Sequence, residues 1–275
     1  MPEGDVVFRT AHRLEDALSG KPLVRAELRH PSLSTVELVD RTVCGVRSVG
    51  KHLFIRFSGE LSLHNHLRMD GLWQIIPQGK RWRRPAHQAR VILGTADRLA
   101  VGFHLHELRL LDTKNEHRMV EGLGPDLLDP QWTDTHTETA VRAILADPER
   151  EISAALLDQR VMAGVGNLYS TEVCFLLGRT PWTPIGELSG VEVRESVELC
   201  RKLLFANAWR VEQSTTGQLE KGREHWVYGR GRQGCFRCGG PVRRAKHGSG
   251  SQPREAYFCP RCQTGPGPSA TPSAT

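Results

Sequence analysis

The residues at the start of the chain, Met1-Pro2-Glu3-Gly4-Asp5, are of types that could do chemistry together. An initiator methionine ahead of a small residue is ordinarily removed, which would leave Pro2 with a free secondary amine. Such an amine attacking a sugar C1′ forms an iminium, which keeps its positive charge at any pH and acts as an electron sink. Glu3 beside it could protonate the opening sugar or relay protons. Proline just inside a helix start, followed by an acid, is also ordinary helix N-terminal chemistry. Taken alone, the pair leaves both readings open.

A second group of reactive side chains lies near the other end. Cys235-Phe236-Arg237-Cys238 and Cys259-Pro260-Arg261-Cys262 are two CxxC pairs with 20 residues between them, the spacing of a four-thiolate zinc site. Two disulfides are the alternative, but no signal peptide or transmembrane run is present, so a reducing cytoplasmic setting favours one structural Zn2+. Cys44, Cys174 and Cys200 sit in apolar stretches and read as buried hydrophobes. From Lys221 to Arg261 ten basic residues face two acids, a local charge of +8 in a chain whose net charge is +6. A cationic patch on a zinc hairpin has the footprint of a phosphate-backbone contact, so nucleic acid is the expected partner. A membrane is not, because no amphipathic helix accompanies the charge.

These residues need elements to hold them, and 275 residues at 39% hydrophobic content supply enough apolar material for two cores. Residues 5–19 read as an amphipathic helix, with Val7, Ala11, Leu14 and Leu18 on one stripe and Gly20 ending it. From Leu23 to Leu111 the pattern is short and alternating. It predicts strands at 23–28, 36–39, 43–49, 52–57, 61–66, 72–76, 90–93, 99–103 and 108–111, hence a β-sandwich or barrel-like domain. Breakers from Gly122 through Pro130 mark a linker. Helical periodicity follows at 139–146, 151–162, 167–177 and 187–206. The chain after Cys262 has the composition of a disordered tail.

Three further places invite attention. Ala163-Gly164-Val165-Gly166-Asn167 joins two helices by a turn that could present backbone N–H groups and the Asn167 side chain to a phosphate, or be a plain tight hairpin. Gly50-Lys51-His52 places a lysine between two strands. His64 and His66 share a strand face ahead of Leu67-Arg68-Met69-Asp70-Gly71, where Met69 reads as exposed at a turn. With no third ligand at suitable spacing, those histidines are better read as meeting the sheet surface or nucleic acid than as holding a metal.

Together these features resemble the formamidopyrimidine-DNA glycosylase and endonuclease VIII family of base-excision repair enzymes. The motifs carrying the resemblance are Pro2-Glu3, Gly50-Lys51, His66 through Gly71, Gly124-Pro125-Asp126, Leu156 through Gln159, Gly164 through Tyr169, Val227 through Arg230, and the four-cysteine finger with Phe258-Cys259-Pro260. Pro2-Glu3-Gly4 is most similar to the endonuclease VIII branch, and to its actinobacterial subgroup. The resemblance implies an α+β, multidomain fold. Its parts would be a β-sandwich with an N-terminal helix over 1–121, a linker at 122–130, a helix-two-turn-helix domain over 131–228, a zinc finger over 229–263 and a tail from 264 to 275. It implies a monomeric, nucleoid-associated cytoplasmic enzyme on damaged double-stranded DNA. The activity would be that of a bifunctional glycosylase/AP lyase removing oxidised bases, pyrimidines in this branch, with β,δ-elimination. Its site residues would be Pro2 as Schiff-base nucleophile, Glu3 as acid/base and Lys51 on the lesion phosphate and in elimination. Asn167 and Arg254 would hold backbone phosphates, and Met69 with Arg68 would fill the gap left by the flipped nucleotide.

Two departures stand against the family pattern. Val6 occupies a position where many members have a second acid, leaving that acid's contacts to Asp5 or to nothing. The loop where the purine-specific branch supplies an Arg and a Phe reads here Gly102-Phe103-His104-Leu105-His106-Glu107 and does not match that pattern, so opposite-base recognition does not carry over. The alternatives are an oxidised-purine glycosylase acting on 8-oxoguanine or formamidopyrimidine, and a non-catalytic protein that binds damaged DNA.

Overall fold

The computed structural model describes residues 2–247 and 254–268. The chain divides after Gly122 into two compact units. The expected processing of Met1 lies outside the described residues.

In the first unit, α1 (Gly4–Leu18) starts where the Glu3 carbonyl accepts the N–H groups of Val6 and Val7, both at 3.1 Å. Its apolar stripe is the expected one, and Val7, Ala11, Leu14 and Leu18 are buried. The strands are β1 (Arg25–Leu28), β2 (Val43–Val49), β3 (His52–Phe57), β4 (Leu61–His66), β5 (Leu72–Pro77), β6 (Ala89–Gly94), β7 (Arg98–Phe103) and β8 (Glu107–Asp112). They form two four-stranded antiparallel sheets, ordered β2-β3-β4-β8 and β1-β6-β7-β5. This is a β-sandwich. Alternation turns Leu53, Ile55, Phe57 and Leu63 of one sheet, and Val91, Leu93 and Ala100 of the other, into a single cluster with the α1 stripe. Full burial of each large apolar side chain is worth about 1.5–3 kcal/mol, which pins both the strand register and the helix that begins at the candidate site. A further bond fastens α1: the Val46 N–H of β2 donates to the Glu15 carboxylate.

The strand expected at 36–39 does not form. Residues 31–35 turn, with the Leu33 N–H on the His30 carbonyl (2.9 Å) and the Val36 N–H on the Leu33 carbonyl (3.1 Å). Leu33 and Leu38 drop into the core as plugs from irregular chain. Cys44, expected to be buried, is exposed on β2, whereas Cys174 and Cys200 are buried.

The second unit contains α2 (Asp134–Leu145), α3 (Ile152–Leu157), α4 (Asn167–Leu176), α5 (Gly190–Asn207) and a hairpin of β9 (Arg243–His247) and β10 (Arg254–Phe258). Capping boxes start α2 at Thr133 and His136, and α5 at Ser189 and Glu192. The helix expected over 151–162 stops at Leu157 because Asp158 leaves the helical region. Its carboxylate then accepts the Arg160 N–H (2.9 Å) and pairs with Arg150 (2.9 Å) and Arg160 (2.8 Å). Hydrogen bonds from Arg160 hold that carboxyl far below the usual carboxylate range.

Nor are residues 123–130 a free linker. Leu127 and Leu128 are buried, Asp126 bridges to Ala163, and the Gly124 N–H reaches the Gln159 carbonyl at 2.9 Å. The hairpin is likewise continuous with the helices, since Phe175 of α4 packs with Val227, Cys235, Val242 and Cys259. The start of the expected tail is pinned too: the Thr180 N–H donates to Thr264 (3.0 Å) and its hydroxyl to Pro266 (2.7 Å). Residues 269–275 lie outside the described residues. Among those described, no helix is long and apolar enough to cross a membrane.

Candidate functional site

In the first unit, Pro2 is half-buried immediately ahead of Glu3, whose carboxylate is 1% exposed at the cap of α1. Asp5, in the first turn, is fully buried, while Val6 packs against the core. The acid adjoining Pro2 and Glu3 is therefore Asp5.

Lys51 sits in the two-residue turn between β2 and β3. Gly50 makes that turn possible, for its φ of +54° lies in the left-handed region that a side chain disfavours. Register then sets Val49, His52, His66 and Glu107 across the sheet in one row on the face away from the core. Lys51 adjoins His52, and Arg68, two residues past His66, forms an ion pair with Glu107. The fold thus gathers Lys51, Arg68 and three histidines at one end of one sheet. His52 Nδ1 lies 2.9 Å from His64 Nε2, and the Arg68 N–H donates to His66 Nδ1 at 3.0 Å. Burial, reinforced by His52, pushes His64 and His66 down to about 4. The charges of Arg68 and Lys51 add to the depression at His66. These imidazoles are neutral near pH 7 and occupy a cationic corner without adding charge. Neither His64 nor His66 belongs to a group of three metal donors among the described residues.

Met69 is 62% exposed, at the outside of the Leu67–Gly71 turn. Leu67 anchors the turn in the core and its carbonyl accepts the Gly71 N–H at 2.8 Å. A Cβ at Gly71 would sit 2.4 Å from that carbonyl, so the tightness of the turn depends on glycine. An exposed thioether on a rigid turn is not a core filler.

In the second unit the expected outward presentation of Asn167 is not what the structure shows. The Ala163–Asn167 turn is buried. The Asn167 amide donates to the Glu255 carbonyl (2.8 Å) and its oxygen faces His247 Nε2 (3.5 Å). His247 Nδ1 meets the Ser153 hydroxyl at 2.8 Å. His247 pairs with Arg254 across the hairpin. Burial first, and then the Arg254 charge, hold His247 at about 4. Asn167 and Arg254 are therefore joined through one hairpin, from which Arg243, Arg244, Lys246 and Arg254 are exposed.

The four cysteines converge, with Cys235 and Cys262 Sγ 3.9 Å apart, Cys238 and Cys259 Sγ 3.6 Å apart, and all four sulfurs within 4.8 Å of one another. They are thiols clustered for a metal ion. A hydrogen bond from the Gly240 N–H (3.4 Å) lowers Cys238 to about 7, toward the thiolate that binds metals. Arg237, between the first two cysteines, stacks on Phe175 of α4 at 4.4 Å and locks the finger to the helix.

Sequence reasoning missed two buried acids that tie neighbouring groups together, one in each unit. Glu116, 2% exposed, ties Arg47, Arg56 and Ser62 together on the first sheet. Burial alone would raise its pKa; the hydrogen bonds from Arg56, Ser62 and Arg47 prevail and hold it at about 2. Glu172, fully buried on α4, accepts the backbone N–H groups of Trp226 (2.8 Å), Val227 (2.8 Å) and Tyr228 (2.7 Å), and the Thr215 hydroxyl. It thereby fixes the Val227–Arg230 segment. The signal was the single charged residue in α4, whose residues 167–175 are all buried.

Residues 1–119 match the family model for the formamidopyrimidine-DNA glycosylase N-terminal domain, and residues 123–218 match that family's H2TH domain. The chain is 51% identical over 269 residues to a probable endonuclease 8 2 of Streptomyces coelicolor, covering 98% of this chain and 96% of that protein. It is 45% identical over 264 residues to the DNA-(apurinic or apyrimidinic site) lyase Nei2 of Mycolicibacterium smegmatis, covering 96% and 99%. Among solved structures, Lactococcus lactis formamidopyrimidine DNA glycosylase non-covalently bound to DNA containing an AP site superposes with a TM-score of 0.78 at 21% identity, over 96% of this chain and all of that one. At that identity the likeness speaks for the fold.

Proposed function

The chain belongs to the formamidopyrimidine-DNA glycosylase and endonuclease 8 family of DNA repair enzymes, and from that premise we propose that it removes oxidised pyrimidines from duplex DNA through an iminium at Pro2 and then nicks the strand. The observation that carries this reading is the buried carboxylate of Glu3 at the start of α1, directly after Pro2. A shielded acid beside an amine provides a proton donor for the leaving base and a nucleophile for C1′. With Met1 removed, the Pro2 nitrogen attacks C1′ as the protonated base departs; the proton released from the Pro2 amine passes by way of Glu3 to O4′, the C1′–O4′ bond opens, and the iminium is left at C1′. The iminium acidifies C2′, and loss of that proton expels the 3′ phosphate. Loss of a second proton, from C4′, expels the 5′ phosphate. Lys51, in the cationic corner of the first unit, holds the lesion phosphate and assists elimination.

Stacked duplex hides C1′, so the nucleotide must be flipped, at a cost of roughly a few kcal/mol that is lowest for a damaged or mispaired base. Exposed Met69 suits the role of wedge in the vacated stack, with Arg68 beside it. Arg254 suits a phosphate contact, and Asn167 supports it from α4. The metal of the four-cysteine site is zinc in this reading. Tetrahedral Zn–S bonds of about 2.3 Å imply sulfur separations of about 3.8 Å, close to the 3.6 and 3.9 Å found. When bound, that ion contributes folding of the hairpin rather than reaction chemistry. Preference for pyrimidines rests on the likeness of Pro2-Glu3-Gly4 to the endonuclease VIII branch and on the loop His104-Leu105-His106, which does not match the purine-branch wedge. The enzyme would act as a monomer in the cytoplasm, at the nucleoid.

The test uses chain whose N-terminal residue has been established by mass spectrometry. Duplexes carrying one oxidised pyrimidine, one 8-oxoguanine or one abasic site are turned over with borohydride present. A covalent adduct mapping to Pro2 is expected, along with its loss when one residue is added before Pro2. An adduct at a lysine would sink the proline assignment, and faster excision of 8-oxoguanine would sink the pyrimidine assignment.

A further inference from the structure

We propose that Asp70, His104 and His106 form a second metal site, taking a borderline divalent cation such as Zn2+ or Co2+, which clasps the Met69 turn to the loop between β7 and β8. Two separate segments build it. Asp70 follows Met69 in the turn closed at Gly71. His104 and His106 flank Leu105, which is fully buried; with that anchor between them, both rings reach the same carboxylate. His104 takes a φ of +52°, a left-handed conformation uncommon for a residue with a side chain, and its N–H is held by the Gln88 carbonyl at 3.1 Å.

Distances decide between an ion pair and an ion site. His104 Nδ1 lies 3.5 Å from Asp70 Oδ2, and His106 Nε2 lies 3.4 Å from Asp70 Oδ1. Charge-assisted hydrogen bonds of this kind close to about 2.7–2.9 Å. A tetrahedral ion with bonds of about 2.0–2.1 Å needs neighbouring donors about 3.3–3.4 Å apart. Each imidazole stands off its own oxygen of the carboxylate too far for a good hydrogen bond and close to the spacing of neighbouring donors on one ion, and one oxygen of Asp70 and one nitrogen of each ring all lie within 4.8 Å of one another. Two imidazoles and one carboxylate suit Zn2+, Co2+ or Ni2+, whereas Mg2+ and Ca2+ favour all-oxygen sets. His106 and Asp70 are each more than half exposed, leaving room for water at the remaining position. A bound ion joins the turn between β4 and β5 to the loop between β7 and β8 and stiffens the turn that displays Met69. Binding of the ion is independent of Pro2 chemistry and of DNA, so this proposal and the functional one fail separately.

The experiment titrates Co2+ into full chain carrying one zinc per molecule, following absorption and counting both metals after gel filtration. One equivalent of Co2+ beyond the zinc is expected, with d–d absorption but no sulfur-to-cobalt charge transfer, which marks the cysteine site. Asp70→Asn and His106→Ala should each weaken it at least about tenfold, with the zinc count and circular dichroism unchanged, while His30→Ala binds as the parent does. No second equivalent, a second equivalent surviving both substitutions, or cobalt appearing only with sulfur charge transfer would overturn the site.

Discussion

His247 and Asn167 meet at 3.5 Å, ring nitrogen to amide oxygen, inside the second unit. Asn167 is thereby spoken for by the hairpin, and its role becomes that of a buried strut under the exposed Arg254. Removing the strut and removing the charge should differ in their salt dependence. Arg254→Ala should weaken DNA binding and flatten the plot of log affinity against log salt by about 0.9, the value for one lost phosphate contact. His247→Gln should weaken binding with the slope unchanged, because no charge has been lost. Equal slopes for parent and Arg254→Ala would remove Arg254 from the interface.

Glu3→Gln should slow base removal by about 10²–10⁴-fold, the usual contribution of a positioned acid/base. Nicking of a preformed abasic site should fall far less, since no glycosidic bond remains to be broken. Single-turnover assays on the two substrates measure the ratio, and equal losses would make Glu3 a helix cap and nothing more.

Glu172→Ala should cost about 3 kcal/mol or more, because three backbone N–H groups and a hydroxyl lose a buried charged acceptor. Glu172→Gln, which keeps one acceptor oxygen, should cost less. Urea unfolding reads both; a loss under about 1 kcal/mol for the alanine variant would show that water replaces the carboxylate easily.

Acid should weaken the fold in a defined window. His64, His66 and His247 titrate near 4 when folded and near 6.5 when unfolded. Between those values the unfolded chain binds more protons, so stability falls as pH drops from 6.5 to 4 and these residues add no further loss below that. Each contributes at most about 3 kcal/mol. Glu116, ordinarily at 4.5 and here at about 2, extends the decline below pH 4.5. Unfolding midpoints at pH 7 and pH 5 should differ clearly in the parent and less in His247→Gln. Identical differences would mean His247 is hydrated.

Met69→Ala should slow excision of a stacked oxidised pyrimidine more than cleavage at an abasic site, where less stacking has to be replaced. Thermal stability should stay within about 0.5 kcal/mol of the parent, as for other exposed positions. A matching loss on both substrates would dismiss the wedge.

What could be read from sequence was whatever local periodicity controls. The α1 stripe, the alternating strands and the CxxC pairs all announce themselves within a few residues. The apolar run at 36–39 misled because burial of Leu38 needs no ladder. Helix α3 ended early because Asp158 has partners at Arg150 and Arg160, and side-chain capping of that kind leaves no period. Asn167 was expected to face outward because nothing near it in sequence names Glu255 or His247. Distant partners also explain why His104 and His106 looked like a mismatched wedge, with Asp70 more than thirty residues away.

The bond from Val46 to Glu15 has a meaning beyond fastening a helix. Strand β2 borders its sheet, and an outward N–H on a border strand is an invitation to any extended chain in the solvent. The carboxylate of α1 occupies that donor. The helix that follows Pro2 and Glu3 thus guards, near its other end, against self-association of the sandwich, and damage to α1 would endanger solubility.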